Sequence, residues 1–128
     1  MFCSAFFAVD CVAQGSESAT QYNGSSYIDL AASYLNLNLP VTITHWVKQS
    51  ANSSGRIFSS NQLSVGYSGV HVQILPTGIV ETFYGDGLGF TPSFRRSCYS
   101  NNAHVFSDWV HLAFVVTSAT NMEIYVNG

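Results

Sequence analysis

The chain has 128 residues, room for one domain and no second, and 47 % of them are hydrophobic while only 9 % are charged. Solubility therefore rests on Ser, Thr and Asn side chains rather than on Lys and Glu, a surface that suits an extracellular β-protein. Four Lys and Arg against seven Asp and Glu leave a net charge of −3. No basic field exists to attract a phosphate backbone, which excludes nucleic acid as a partner.

Residues 1–13 combine Phe2, Phe6, Phe7, Val9 and Val12 with small residues and end in Cys11-Val12-Ala13, ahead of the polar Gln14-Gly15-Ser16-Glu17-Ser18. This pattern resembles the end of a secretory signal peptide, although no Lys or Arg precedes it and Asp10 interrupts the apolar run. An ordinary first strand is the plain alternative. Residues 14–20 read as a polar linker and 21–128 as the folded domain. Nothing else stays apolar long enough to span a bilayer. The three cysteines, Cys3, Cys11 and Cys98, show neither a zinc spacing nor a C-x-x-C motif, and cleavage after Ala13 would leave Cys98 alone, free or paired outside this sequence. Asn23-Gly24-Ser25 and Asn52-Ser53-Ser54 fit the N-glycosylation acceptor.

From residue 21 onward, short β-branched and aromatic runs alternate with Gly, Ser and Asn clusters, and no segment sustains a 3.6-residue period. The chain reads as all-β, with strands at residues 27–30, 41–48, 56–60, 70–75, 79–84, about 94–99, 109–116 and 122–126. In the second strand Val41, Ile43, His45 and Val47 share the core face, opposite Thr42, Thr44, Trp46 and Lys48. His45 is expected to be a neutral core histidine satisfied by hydrogen bonds, and Trp46 an aromatic set among polar residues, either a binding platform or a ring covered by a crossing loop. Pro76-Thr77-Gly78 closes a hairpin. Residues 85–93, rich in glycine but without phosphate-loop spacing, read as an exposed loop carrying Asp86. Gly66-Tyr67-Ser68-Gly69 and Asn101-Asn102-Ala103 read as further loops, and the adjacent cations Arg95-Arg96 as a solvated pair. In the tryptophan strand Trp109, His111, Ala113 and Val115 oppose Val110, Leu112, Phe114 and Val116, which makes His111 a structural polar contact. The closing Tyr125-Val126-Asn127-Gly128 runs a strand into an Asn-Gly pair, the strongest short hairpin signal.

Taken in order, Tyr22-Asn23-Gly24-Ser25-Ser26-Tyr27-Ile28-Asp29-Leu30, Val41-Thr42-Ile43-Thr44-His45-Trp46-Val47-Lys48, Gly55-Arg56-Ile57-Phe58-Ser59-Ser60, Asp108-Trp109-Val110-His111-Leu112-Ala113-Phe114 and Glu123-Ile124-Tyr125-Val126-Asn127-Gly128 resemble the laminin-G-like (LamG) jelly-roll domains of the concanavalin A-like lectin/glucanase superfamily. The resemblance covers about the last four-fifths of the chain. It implies an all-β, two-sheet antiparallel jelly-roll sandwich with one concave face. It further implies strands beyond the Asn-Gly pair, so that the domain lacks its last strands and is completed by them or by a neighbouring domain. His45 departs from the small apolar residue usual at its position, and Phe94-Arg95-Arg96-Ser97-Cys98-Tyr99 follows no family motif.

The superfamily includes glycoside hydrolases, whose chemistry needs two carboxyl groups across the scissile bond, in retaining members of this fold on an E-x-D-x-E strand. Only Glu17, Glu81 and Glu123 are available and no such strand exists. Glu81 and Glu123 read as solvated strand residues. His71, His104 and His111 with Asp108 lack a G-x-S-x-G elbow. The expectation is a non-catalytic, secreted or cell-surface binding module for a glycan or an extracellular protein. Sugars stack on aromatic rings and hydrogen-bond to Asn, Asp and Ser, so the candidate binding residues are Trp46, Tyr67, Tyr84, Asp86 and Asn102. No cofactor is required. Calcium, held by many relatives through loop carboxylates and carbonyls, is left open, because those loops do not align on Asp86, Asp108 or Asn102. The competing readings are a structural or adhesive repeat with no soluble ligand and an accessory domain of a secreted glycoside hydrolase.

Overall fold

The computed structural model describes residues 21, 27–28, 37–49, 54–62 and 65–128. Among them run seven strands, β1 (Val41–Val47), β2 (Gly55–Gln62), β3 (Tyr67–Ile74), β4 (Val80–Asp86), β5 (Arg95–Tyr99), β6 (Val110–Ser118) and β7 (Asn121–Val126), with a 3-10 turn at Pro92–Phe94. They build two antiparallel sheets, β1-β6-β7 and β2-β3-β4-β5. Period-two apolar rows explain why they pack face to face. β1 supplies Val41 and Ile43, β6 supplies Val110, Leu112, Phe114 and Val116, β3 supplies Val70, Val72 and Ile74, and all enter one core with Val80 of β4 and Phe58 of β2. Phe106, in the connection from β5 to β6, plugs the same core. Each such side chain contributes about 1.5–3 kcal/mol on burial. The all-β class read from the alternation and the two-sheet sandwich implied by the resemblance are the architecture found.

Register follows from those rows. Val41 pairs with Val116 and Ile43 with Phe114 across β1 and β6, and Phe114 pairs with Ile124 across β6 and β7. The β3–β4 hairpin turns at residues 75–79, where Leu75 N–H donates to Ile79 O at 2.8 Å and Gly78 N–H to Leu75 O at 2.9 Å. Gly78 sits at φ +82°, left-handed backbone that a residue with a Cβ would adopt only under strain. The β6–β7 hairpin is tighter than expected: Ser118 pairs with Asn121, leaving Ala119 and Thr120 at the turn.

Several expectations are corrected. Tyr27 and Ile28 carry no strand assignment, while Asp29 and Leu30 lie outside the described residues, as do residues 1–20, Asn23 and Asn52. Tyr67, Ser68 and Gly69 open β3 instead of forming a loop, and β4 runs on through Asp86. Arg95 and Arg96 belong to β5, where the Arg95 guanidinium lies 4.7 Å over the Phe83 ring rather than in free solvent. Glu81 is not solvated. It is 2 % exposed, accepts a hydrogen bond from Gln73 Nε2 and lies 3.8 Å from Arg95 Nη2. Ionised groups lose hydration on burial, so a carboxylate there needs that partner. Cys98 is a free, half-buried thiol, and burial pushes its pKa up. Among the described residues no helix is long and apolar enough to cross a membrane.

His45 faces inward as expected, its ring 6.3 Å from Phe58 of the opposite sheet, but its buried Nε2 has no hydrogen-bond partner among the described residues. Burial lowers its pKa because the apolar row solvates an imidazolium poorly. The unfolded chain therefore takes up this proton first. The stability that neutral His45 contributes is complete above its unfolded pKa of about 6.5 and is lost as the pH falls below that value toward the lowered folded one. Urea unfolding at about pH 7.5 and about pH 5 should show a loss of stability in the native sequence that shrinks in His45→Val. An equal loss in both would place the pH dependence elsewhere.

Candidate functional site

The outer face of the β1-β6-β7 sheet is set by the same register that fills the core. Val47 and His45 point inward opposite Val110 and Leu112, so Trp46 and its partner His111 point outward side by side. Their ring centroids are 5.0 Å apart and tilted by 51°. Trp46 is 65 % exposed. No crossing loop covers it among the described residues.

The polar floor beside the ring comes from the residues after β7. Asn127 N–H donates to His111 O at 2.9 Å, and Asn127 Oδ1 accepts from His111 N–H at 3.0 Å. That two-point clasp requires left-handed backbone: Asn127 is at φ 60° and Gly128 at φ 99°, the sign that both central residues of a type I′ turn need. Trp46, His111, Asn127 and Gly128 line a shallow, open depression of about 330 Å³. In the next row Thr44, Ala113 and Tyr125 lie abreast, and Tyr125 Oη donates to the Glu123 carboxylate, which raises the phenol pKa. Lys48 and Asp108 form a solvent-exposed pair at 4.0 Å that adds little stability. An aromatic face beside imidazole, amide and peptide groups suits a ligand with one apolar face and a hydroxylated rim.

The five candidates read from the sequence do not form one cluster. Trp46 lies on this face. Tyr67 is the first residue of β3 in the other sheet, its ring edge-on to His71 and Phe83 at 5.1 Å each. Tyr84 packs against the core, sharing the inner row with Val80 and Thr82. Asp86 ends β4, where its Oδ1 accepts from Leu88 N–H at 2.9 Å. Asn102 is exposed at the other end of β4, its carbonyl accepting from Ser100 Oγ, which in turn accepts from Val80 N–H. His111, Asn127 and Gly128 are the site residues that sequence reasoning missed. His111 reads from the sequence as a structural polar contact, and the missing signal is the β1–β6 register that sets it beside Trp46.

Asp86 ends β4 while Asn102 and Asp108 both lie in the β5–β6 connection, and among the described residues no three His, Cys, Asp or Glu side chains converge. Glu81 and Glu123 stand in different sheets, the first held by Gln73 and Arg95 and the second by Tyr125.

A family model of laminin-G type, described as concanavalin A-like lectin/glucanases superfamily, matches residues 22–128. No curated protein and no solved structure matches the chain.

The clasp on His111 makes a stability prediction. Asn127→Ala loses the acceptor for His111 N–H and keeps a Cβ in left-handed backbone, and should cost about 1–2 kcal/mol in urea unfolding. Asn127→Gly, which relieves the backbone, should cost less. Equal stability of the alanine variant and the native chain would show that the clasp does not hold this end of the sheet.

Proposed function

The chain belongs to the concanavalin A-like lectin/glucanases superfamily through a laminin-G-like domain, a binding-module fold, and from that premise we propose a non-catalytic, secreted or cell-surface module that recognises carbohydrate. The observation that carries the proposal is Trp46, exposed beside His111 over a shallow depression lined by Asn127 and Gly128. A pyranose laid on the indole buries its apolar C–H face there. Its hydroxyls meet the Asn127 amide, the His111 imidazole and the backbone of the turn. Tyr125 of β7 extends the platform across the sheet, and the polar Thr44 of β1 in the same row keeps it wettable. The non-catalytic reading is supported by Glu81 and Glu123, which face no common cleft. Tyr67, Tyr84, Asp86 and Asn102, which belong to the other sheet and its loops, play no part in this platform.

The test is a glycan array probed with the full chain in the presence and in the absence of calcium. Binding should be retained without calcium and reduced about tenfold or more in Trp46→Ala, with a melting temperature within a degree or two of native because the ring packs little. Trp46→Phe should keep part of the affinity. Silence of the folded native chain on all glycans, with and without calcium, would reject carbohydrate recognition and leave adhesion to a protein partner as the reading of this face.

A further inference from the structure

A second feature of the surface lies at one end of the β2-β3-β4-β5 sheet, where the β2–β3 and β4–β5 connections interlock. Tyr67 N–H donates to Gly89 O at 3.2 Å and Gly87 N–H donates to Tyr67 O at 2.7 Å. The two backbones approach so closely that a Cβ on Gly66 would collide with the Gly89 main chain. Asp86 Oδ1 pins Leu88 N–H at 2.9 Å. Held out by these contacts are three large apolar side chains, Val65 at 63 %, Leu88 at 72 % and Phe90 at 45 % exposure. Below them sits a cationic collar. Arg56 lies 5.2 Å over the Tyr67 ring, Arg95 lies 6.0 Å over it from another strand, and the exposed Arg96 follows Arg95 in β5 with its side chain toward the other face of the sheet. The chain has only four Lys and Arg and a net charge of −3, and three of those four cations belong to the β2-β3-β4-β5 sheet. The carboxylates of this region are Asp86, engaged with Leu88 N–H, and Glu81, buried beside Arg95.

We propose that this tip docks on an anionic lipid surface. Val65, Leu88 and Phe90 enter the boundary between headgroups and acyl chains, and Arg56 and Arg96 meet lipid phosphates and carboxylates at the headgroup level, while Arg95 stays over Phe83 beside Glu81. Apolar side chains at the tip with guanidinium groups behind them match the layering of a bilayer interface, apolar inside and anionic outside. Charge complementarity favours a membrane, since the collar carries the sign opposite to that of the chain as a whole. The contacts of Gly66 and Tyr67 with residues 87–89 also spare the β4–β5 connection an ordering cost on docking.

Co-sedimentation of the full chain with vesicles tests the proposal. The native chain should pellet with phosphatidylcholine vesicles containing about 30 % phosphatidylserine, much less with pure phosphatidylcholine, and less again in high salt. The double substitution Leu88→Ser, Phe90→Ser should cut the bound fraction about tenfold or more. Phe90 packs edge-on to Tyr67, so Leu88→Ser alone, at a freely exposed position, keeps the test valid if the double variant fails to fold. Trp46→Ala should pellet like the native chain, which separates this surface from the carbohydrate platform. No pelleting with anionic vesicles, equal pelleting with neutral ones, undiminished pelleting of Leu88→Ser, or capture by a protein partner without vesicle binding would overturn it.

Discussion

The pairing of β1 with β6 is the constraint on which both the core and the candidate platform depend. Ile43 against Phe114 and Val41 against Val116 bury one row of each strand, and because side chains alternate across a strand, the other row is committed to solvent. Trp46 and His111 therefore share a face as a consequence of burying Val47, Val110 and Leu112, not through any attraction between the two rings. A slip of one residue would bring Trp46 and Thr44 into the core and turn Ile43 outward. The apolar rows of β1 and β6 resist that slip, and β7 adds Met122, Ile124 and Val126 against the same core. The geometry of the depression is thus inherited from packing several ångströms beneath it.

This dependence explains which parts of the molecule were legible in the amino-acid order. Strands with one apolar row were readable almost to the residue: Val41–Val47 against an expected 41–48, and Val110–Ser118 against 109–116. The row of Trp46 was readable too, because Thr42, Thr44 and Lys48 share it, but whether a loop covers the ring was not. Its partners were not, since which residue of β6 faces Trp46 depends on pairing between segments more than sixty residues apart. Tyr84 illustrates the opposite failure. Its alternation with Thr82 and Val80 placed it in the inner row, yet its aromatic character and the glycines that follow favoured a surface reading.

The β2-β3-β4-β5 sheet shows what alternation alone does not report, namely whether an outward row is itself covered. His71, Phe83 and Glu81 lie on the row facing away from the core, yet all are buried. His71 stacks on Phe83 at 4.7 Å, and Tyr67 packs edge-on to both rings. Ser68 O can only accept, so His71 Nε2 carries the proton, and Nδ1 accepts from Ser59 Oγ at 2.8 Å. Buried polar groups are tolerated when they find such partners, and breaking a buried ion pair such as Glu81 with Arg95 typically costs about 3–5 kcal/mol. Glu81, which reads from the sequence as a solvated strand residue, is thus part of a second, polar layer together with His71. Their polarity disguised their burial.

The two sheets therefore treat their outer faces differently, and the difference accounts for two unlike surfaces on one small domain. In β1-β6-β7 the outward row is short or hydrogen-bonding, with Thr44, Ala113 and Thr42 lying low around Trp46, so the indole stands free and can accept a flat ligand. In β2-β3-β4-β5 the outward row carries rings and a carboxylate that must be covered, and Tyr67 and Arg95 cover them. Tyr67 in that position brings the β2–β3 connection against the β4–β5 connection through its own N–H and carbonyl. The glycines of residues 85–89, read at first as slack in an open loop, are what permits that contact. Covering the second sheet and projecting Leu88 and Phe90 from its end are consequently one structural event, organised around a single tyrosine.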